Sequence, residues 1–201
     1  MSLEHAILGF LGTQARSGYD LKTRCFDVEA KAFWSADQAQ IYRTLERLKT
    51  ARMVTATRRK QTGRPDRKVY EITAAGRDTL AVWQSAAAPL SPPRDAFLLQ
   101  VYFSADLSDD AITLLLKQRR AAHQERLEAL RLEAVEASRD KSVSARTAVL
   151  RQAAFAGATA TERAAIDWLD DMLDAISAGL LPGTEMSGTD GQKPLFGLAP
   201  A

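Results

Sequence analysis

The chain has 201 residues, 46% of them hydrophobic, enough for one large domain or two small ones around a real core. Its single cysteine, Cys25, excludes an intrachain disulfide and a cysteine-based zinc site. The formal net charge is only +2, but it is unevenly divided: residues 1–85 hold 15 Lys/Arg against 9 Asp/Glu, and residues 86–201 hold 12 against 16. No uncharged apolar run approaches a membrane span, and no basic start followed by an apolar run marks a signal peptide. A cytoplasmic protein with no membrane partner is expected.

In chain order, residues 3–13 read as a first helix, apolar at Ile7, Leu8, Phe10 and Leu11. Ser17-Gly18-Tyr19-Asp20 starts a second helix that runs to about residue 32, with Leu21, Cys25 and Val28 on one face. Cys25 is expected to be a small buried hydrophobe rather than a redox sensor. A third helix covers about residues 36–51. Ser35 is its expected cap, with Gln38 completing a capping box. Ile41, Leu45 and Leu48 form its buried stripe, and Gln40, Arg43 and Arg47 lie opposite.

Residues 54–59 and 68–73 then read as two strands, separated by turn residues and the tip Gly63-Arg64-Pro65-Asp66-Arg67-Lys68. Helix, strand, basic loop, strand is the layout of a winged helix-turn-helix. That module sets one helix in the DNA major groove and its hairpin against the backbone or minor groove. Residues 40–70 hold 10 Lys/Arg against Glu46 and Asp66, a net +8. Charge alone fits a solvated face; concentrated on this pattern, it is the footprint of a polyanion-binding surface.

Thr73-Ala74-Ala75-Gly76 opens a fourth helix with Leu80 and Trp83 one turn apart. The three prolines within residues 86–93 mark the expected boundary between a DNA-binding domain, residues 1–87, and a helical domain, residues 94–181. Residues 95–103 form a short apolar helix. A long helix over about residues 109–137 carries a seam of Ile112, Leu116, His123, Leu127, Leu130, Ala134 and Ala137. A second, over about residues 143–180, carries Ile166, Leu169, Leu173, Ile176 and Leu180. Two such seams in so small a domain call for an intrachain hairpin, a homodimer, or both. Residues 182–201 are rich in Gly, Pro, Thr and Ser and read as a disordered tail. The fold class is therefore mainly α: three helices plus a two-stranded wing, then a long-helix dimerisation domain.

Enzyme readings fail on inventory. His5 and His123 lie in different halves, and neither a catalytic-triad pattern nor a nucleotide-binding glycine motif is present. Asp167, Asp170, Asp171 and Asp174 form an acidic helix face with no histidine or loop to complete a metal cage, so no metal and no cofactor is expected.

Four segments resemble the PadR family of bacterial transcription regulators. They are Leu3-Glu4-His5-Ala6-Ile7-Leu8-Gly9, Ser17-Gly18-Tyr19-Asp20-Leu21, Gln40-Ile41-Tyr42-Arg43-Thr44-Leu45-Glu46-Arg47-Leu48, and the wing from Gly63 to Thr73 with Ala75-Gly76. Each segment alone is weak; their order and spacing over residues 3–83 are specific. The C-terminal part resembles, more loosely, the helical dimerisation region of longer members. The resemblance implies a dimeric repressor, released from operator DNA in some members by a small aromatic compound such as a phenolic acid. One departure is visible: relatives usually place glycine where the recognition helix ends, and this chain has Ala51-Arg52. A different turn and an added phosphate contact from Arg52 are both open there.

On chemical grounds Gln38 and Gln40 suit adenine, and Arg43 and Arg47 suit guanine or, by the commoner pattern, phosphate. A phosphate contact or an ion pair with solvent-side acids is the plainer role for Arg47. Tyr42 suits a phosphate contact through its hydroxyl while its ring packs on the module, a placement the resemblance also implies. Arg64, Arg67 and Lys68 supply charge at the wing, and Tyr70 and Ile72 share a core-facing side. Candidate effector residues are Phe97, Tyr102, Phe103, His123, Phe155 and Trp168. Arg94, Arg119 or Arg120 is available to a carboxylated aromatic, and core packing is the plainer role for each aromatic. The expected function is a dimeric repressor on a pseudo-palindromic operator. A regulator without a small ligand and a winged-helix protein adapter are the alternatives.

Overall fold

The computed structural model describes residues 2–59, 67–88, 94–140 and 143–181. Two compact units divide the chain, residues 1–90 and residues 91–201. The wing tip with Gly63, Arg64, Pro65 and Asp66, most of the proline-rich segment and the expected tail lie outside the described residues.

The first unit runs α1 (Ser2–Thr13), β1 (Arg16–Ser17), α2 (Gly18–Asp20) continuing into a π-helical stretch (Leu21–Glu29), α3 (Gln38–Thr50), β2 (Val54–Arg59), β3 (Arg67–Ile72) and α4 (Ala74–Ser85). The sheet has three antiparallel strands in the order β1-β3-β2, not the two expected from the sequence. Two residues of β1 are too few to carry an alternation pattern, so the strand is invisible until it pairs, Arg16 opposite Tyr70 and Ser17 opposite Val69. The second wing strand also ends one residue early, because Thr73 leaves it to cap α4, its Oγ1 accepting from the Gly76 amide.

The core of this unit draws Ile7, Leu8 and Leu11 from α1, Ile41, Leu45 and Leu48 from α3, and Tyr70 and Ile72 from β3. Each such side chain, fully buried, contributes about 1.5–3 kcal/mol. The second helix departs from expectation. Its hydrogen bonds skip one residue further than in an α-helix, as in the Ala30 amide donating to the Cys25 carbonyl at 2.7 Å. That wider winding brings Phe26, five residues after Leu21, into the core beside Cys25 and leaves Val28 56% exposed. The expected Leu21, Cys25 and Val28 face is corrected to Leu21, Cys25 and Phe26.

The start of α3 also differs. Asp37, not Ser35, is the cap. Its carboxylate accepts from the Gln40 amide at 2.7 Å, and the Gln40 side chain accepts from the Asp37 amide at 3.3 Å. Burying Ala36 against the core sets the entry of the chain, and the capping box moves two residues along. At the other end, Arg52 takes a left-handed backbone (φ 57°). The Met53 amide donates to the Leu48 carbonyl at 2.9 Å and the Arg52 amide to Lys49 at 3.0 Å, the two bonds of a Schellman turn. The chain keeps the turn that a glycine would make and sets an arginine in it.

In the second unit, α5 (Ala96–Tyr102), α6 (Asp109–Ser138) and α7 (Ala145–Ser177) follow one another. Helices α6 and α7 pair antiparallel, as Arg120 meets Asp170 and His123 meets Glu162. Phe97 of α5 joins Ile112, Leu116, Leu169, Met172 and Ile176 in a core at one end of the hairpin. Helix α7 is shorter than expected. It starts after the Ser144 cap, so Val143 precedes it. It closes through Gly179 (φ 66°), whose turn leaves Leu180 exposed beyond the helix. Of the four clustered aspartates, Asp170 is not simply solvated but forms a two-point pair with Arg120.

One close approach and one left-handed residue in the first unit give a paired test. A Cβ on Gly76 would stand 2.2 Å from the Met53 carbonyl oxygen, a backbone atom that cannot swing away. Gly76→Ala should therefore destabilise by about 1–3 kcal/mol. Arg52→Gly relieves a left-handed side-chain penalty and should stabilise by about 0.5–1 kcal/mol. Chemical denaturation of the two variants should move the midpoint in opposite directions.

Candidate nucleic-acid interface

Burial of Ile41, Thr44, Leu45 and Leu48 fixes which side of α3 faces outward. At 3.6 residues per turn, the ridge opposite them is Ala39, Arg43, Glu46 and Thr50, all exposed. Gln38 and Tyr42 lie on the flank toward α2, and Gln40 and Arg47 on the flank toward α1. All five expected contact residues of α3 are exposed, but they are not equivalent.

Arg43 stands on the central ridge and makes no ion pair among the described residues. Gln38 makes no side-chain hydrogen bond there. Gln40 is engaged by the capping box. The Arg47 guanidinium is drawn sideways to Glu4 of α1 at 2.5 Å, the ion pair that its plainer reading named. Tyr42 is 38% exposed and lays its ring on Gly18, the first residue of α2. A glycine is needed there because a Cβ would come within 2.6 Å of the Tyr42 ring.

The second helix is anchored by a small buried network. The Ser17 amide and hydroxyl both donate to the Asp20 carboxylate, at 3.0 and 2.8 Å, and the Asp20 amide donates to the Ser17 hydroxyl at 3.1 Å. The same carboxylate oxygen takes the guanidinium of Arg67, at the root of the wing. Lys68, one residue on, pairs with Glu46 of α3, and the Tyr70 hydroxyl donates to that carboxylate at 3.1 Å. The Lys68 ammonium holds the Glu46 carboxyl below its usual range, and the carboxylate raises Lys68 in return. Burial pushes the Tyr70 hydroxyl up, so it stays a donor.

Two of the expected wing cations are thus tied to carboxylates of the helices. The wing arginines without an ion pair among the described residues are Arg58 and Arg59 of β2, placed opposite Lys68 and Arg67 in the ladder. The sequence counted them in the basic patch without singling them out. Glu46 entered as a subtraction from that charge and as one residue of a family-like segment, with no role of its own, although its spacing three residues after Arg43 puts it on the same ridge. Cys25 is fully buried, and that burial pushes its thiol up to about 12, which favours the buried-hydrophobe role over a reactive thiolate.

The effector candidates do not converge within the chain. Phe97 meets Trp168 edge-on with ring centroids 6.3 Å apart, and the Arg119 guanidinium stands 5.0 Å from the Phe97 ring. His123 pairs through Nδ1 with Glu162 at 2.6 Å. Phe155 is buried beside a groove of about 280 Å³ lined by Ala134, Ala148 and Arg151. It lies thirteen residues from Trp168, roughly 20 Å along the helix. Tyr102 is 78% exposed, with Phe103 beside it. Of the three cations, Arg120 is committed to Asp170 and Arg94 is exposed. Arg119 pairs with Asp95 at 3.5 Å while its Nε is buried with no hydrogen-bond partner.

Gly18→Ala isolates the Tyr42 contact. The tyrosine ring is the outer end of a half-exposed side chain, so it should swing into solvent while the fold stays within about 1 kcal/mol of the parent. Loss of the nuclear Overhauser contacts between residue 18 and the Tyr42 ring, with an unchanged amide spectrum elsewhere, is the expected result.

Comparison with known proteins finds matches in both units. Residues 7–82 match the transcriptional regulator PadR-like family, and residues 93–177 match the family described as virulence activator alpha, C-terminal. A probable transcriptional regulator of Mycobacterium tuberculosis is 36% identical, over 88% of this chain and 98% of its own length. The negative transcriptional regulator PadR of Bacillus subtilis is 33% identical over 126 residues, 62% of this chain and 69% of its own. The crystal structure of Bacillus subtilis PadR with operator DNA superposes with a TM-score of 0.75 at 28% identity, over 88% of this chain and 99% of the other. Its complex with p-coumaric acid gives 0.72 at 26%, over 87% and 95%. With a relative matched over nearly its full length and both units assigned, this chain belongs to the PadR-like family of transcriptional regulators.

Proposed function

We propose that the chain is a dimeric repressor that reads a pseudo-palindromic operator with α3 and flanks it with the wing. The observation that carries this reading is the outward ridge of α3, with Arg43 at its centre, beside Arg58 and Arg59 of the wing, none of the three in an ion pair among the described residues. On this reading Arg43 meets a base edge or phosphate, and Ala39 is small enough to admit a thymine methyl. Gln38 reaches a base from the flank, Tyr42 a phosphate, and Arg47 a phosphate only by leaving Glu4. Gln40 reads a base only at the expense of its cap. Arg64 belongs to the same surface by its place in the sequence. The Bacillus subtilis relative, bound to operator DNA and named a negative regulator, supports the assignment.

The dimer is supported by apolar surface that one chain leaves uncovered. Leu98, Leu99, Tyr102 and Phe103 of the α5 segment are at least half exposed, as are Leu132, Val135, Val149 and Leu150 at the far end of the hairpin. Two α3 helices one DNA turn apart, about 34–36 Å, then match the symmetry of the site. We assign the carboxylated-aromatic effector role to the Phe97, Trp168 and Arg119 group, supported by the p-coumaric acid bound to Bacillus subtilis PadR. The buried Nε of Arg119 is a donor without a partner, which a carboxylate would satisfy. An effector can act only through its differential affinity for the DNA-competent and incompetent dimers. The scatter of the other candidates favours the alternative in which abundance or a protein partner sets the response.

Fluorescence anisotropy with the duplex upstream of the protein's own gene tests the reading. Tight binding that resists competitor DNA and falls steeply with salt is expected, and Arg43→Ala should weaken it at least tenfold. Binding no tighter than to competitor would sink the assignment to that operator. Phenolic acids added to the complex should release the DNA, and Arg119→Met should bind DNA normally yet ignore them. Release that survives in Arg119→Met would move the effector site elsewhere.

A further inference from the structure

We propose that Glu46 is a positioning residue that fixes the wing against the recognition helix, and that Lys68 serves it as a tether and is withheld from phosphate. This rests on the DNA-binding reading and deepens it. Lys68 is held on two sides: its ammonium pairs with the Glu46 carboxylate and stands 5.2 Å from the face of the Tyr70 ring. Glu46 is held on three: by Lys68, by the hydroxyl of buried Tyr70 at 3.1 Å, and by Lys49 of its own helix at 3.9 Å. The carboxylate has a fixed donor in Tyr70, whose ring is packed in the core and whose backbone pairs with both neighbouring strands. That donor places Glu46, and Glu46 places Lys68.

The position of Glu46 makes this matter for binding. It sits on the outward ridge of α3, one turn after Arg43, where a bare carboxylate would face the phosphates of any bound duplex. If Lys68 left for a phosphate, it would abandon a negative charge at the same surface. A free exposed pair would exchange easily, but here the exchange is opposed by repulsion. Lys68 therefore neutralises Glu46, and phosphate contact in the described part of the wing falls to Arg58 and Arg59. The cross-strand partner of Lys68 is Arg58, so the wing still carries, at the same register, a cation with no ion pair among the described residues.

The test is the salt dependence of duplex binding by the full-length protein, Glu46→Gln and the double variant Glu46→Gln/Lys68→Ala. Operator and random duplexes are compared from 50 to 200 mM salt. Each phosphate neutralised adds about 0.9 to the log–log slope, roughly threefold in affinity over that range. Glu46→Gln should steepen the slope by about one and bind both duplexes more tightly, narrowing the ratio between them, because Lys68 is released to phosphate. Removing Lys68 as well should return the slope to the parent value. An unchanged slope in Glu46→Gln, with a double variant shallower by about one, would mean that Lys68 already contacts phosphate, and would overturn the proposal. A parent protein that binds no duplex would overturn the DNA-binding reading itself, and this inference with it. Neither substitution removes a core side chain, although both act on the outer end of Tyr70, and unchanged circular dichroism would confirm that the slopes report binding.

Discussion

The first unit depends on how β3 is held. It is the central strand of the sheet, paired with β1 on one side and β2 on the other, with Tyr70 and Ile72 sunk into the core. Its outer end would be a projecting hairpin with little to fix its angle. Two carboxylates do that work from opposite directions. Asp20, itself locked by the Ser17 capping box, takes Arg67, and Glu46 takes Lys68 with the help of Tyr70. The first ties the wing to the start of the second helix, and the second ties it to the recognition helix. An exposed ion pair contributes little to global stability. Its value here is angular, because it fixes a surface that must meet a rigid duplex in register.

This changes what the charge of the module means. A formal +8 over residues 40–70 says that the surface favours a polyanion, and the long-range field retains that sign. It does not say which cations are available. Arg47, Lys49, Arg67 and Lys68 all have a carboxylate within ion-pair distance, two of them sharing Glu46. Arg43, Arg52, Arg58 and Arg59 do not, among the described residues. The cations of the module thus fall into two sets of the same residue types, one paired with carboxylates and one not among the described residues, and composition cannot separate them.

The elements that were legible from sequence are those whose pattern is periodic and whose burial is one-sided. The Ile41, Leu45 and Leu48 stripe, the first wing strand and the two long seams emerged from spacing alone, because a repeated apolar position leaves a helix or strand one way to face. The features that were not legible depend on local competition. Ser35-x-x-Gln38 and Asp37-x-x-Gln40 both satisfy the capping-box pattern, and the burial of Ala36 decides between them. The π-helical winding that exchanges Val28 for Phe26 has no periodic signature of its own, since it appears only when core packing favours the residue five positions on. The partners of Arg67 and Lys68 lie 47 and 22 residues away, a distance that no local pattern spans. At Arg52 the departure from glycine was legible and its consequence was not. The Schellman bonds are strong enough to hold an arginine in the left-handed region and keep the turn.

The second unit poses the opposite problem, because its pattern is clear and its site is not. The seam of α6 and α7 is occupied by the hairpin itself, apolar at the end where Phe97 packs and ion-paired further along at Arg120 with Asp170 and His123 with Glu162. What remains uncovered is on other faces: the outer side of α5 and the outer sides of the two long helices toward their connection. Those side chains were not read as the seam, since a heptad-like count selects the most regular stripe and assigns it to the most demanding partner. With the regular stripe consumed within the chain, the less regular one is the surface that the proposed dimer would use. The geometry of a dimer built on it would set the spacing of two recognition helices.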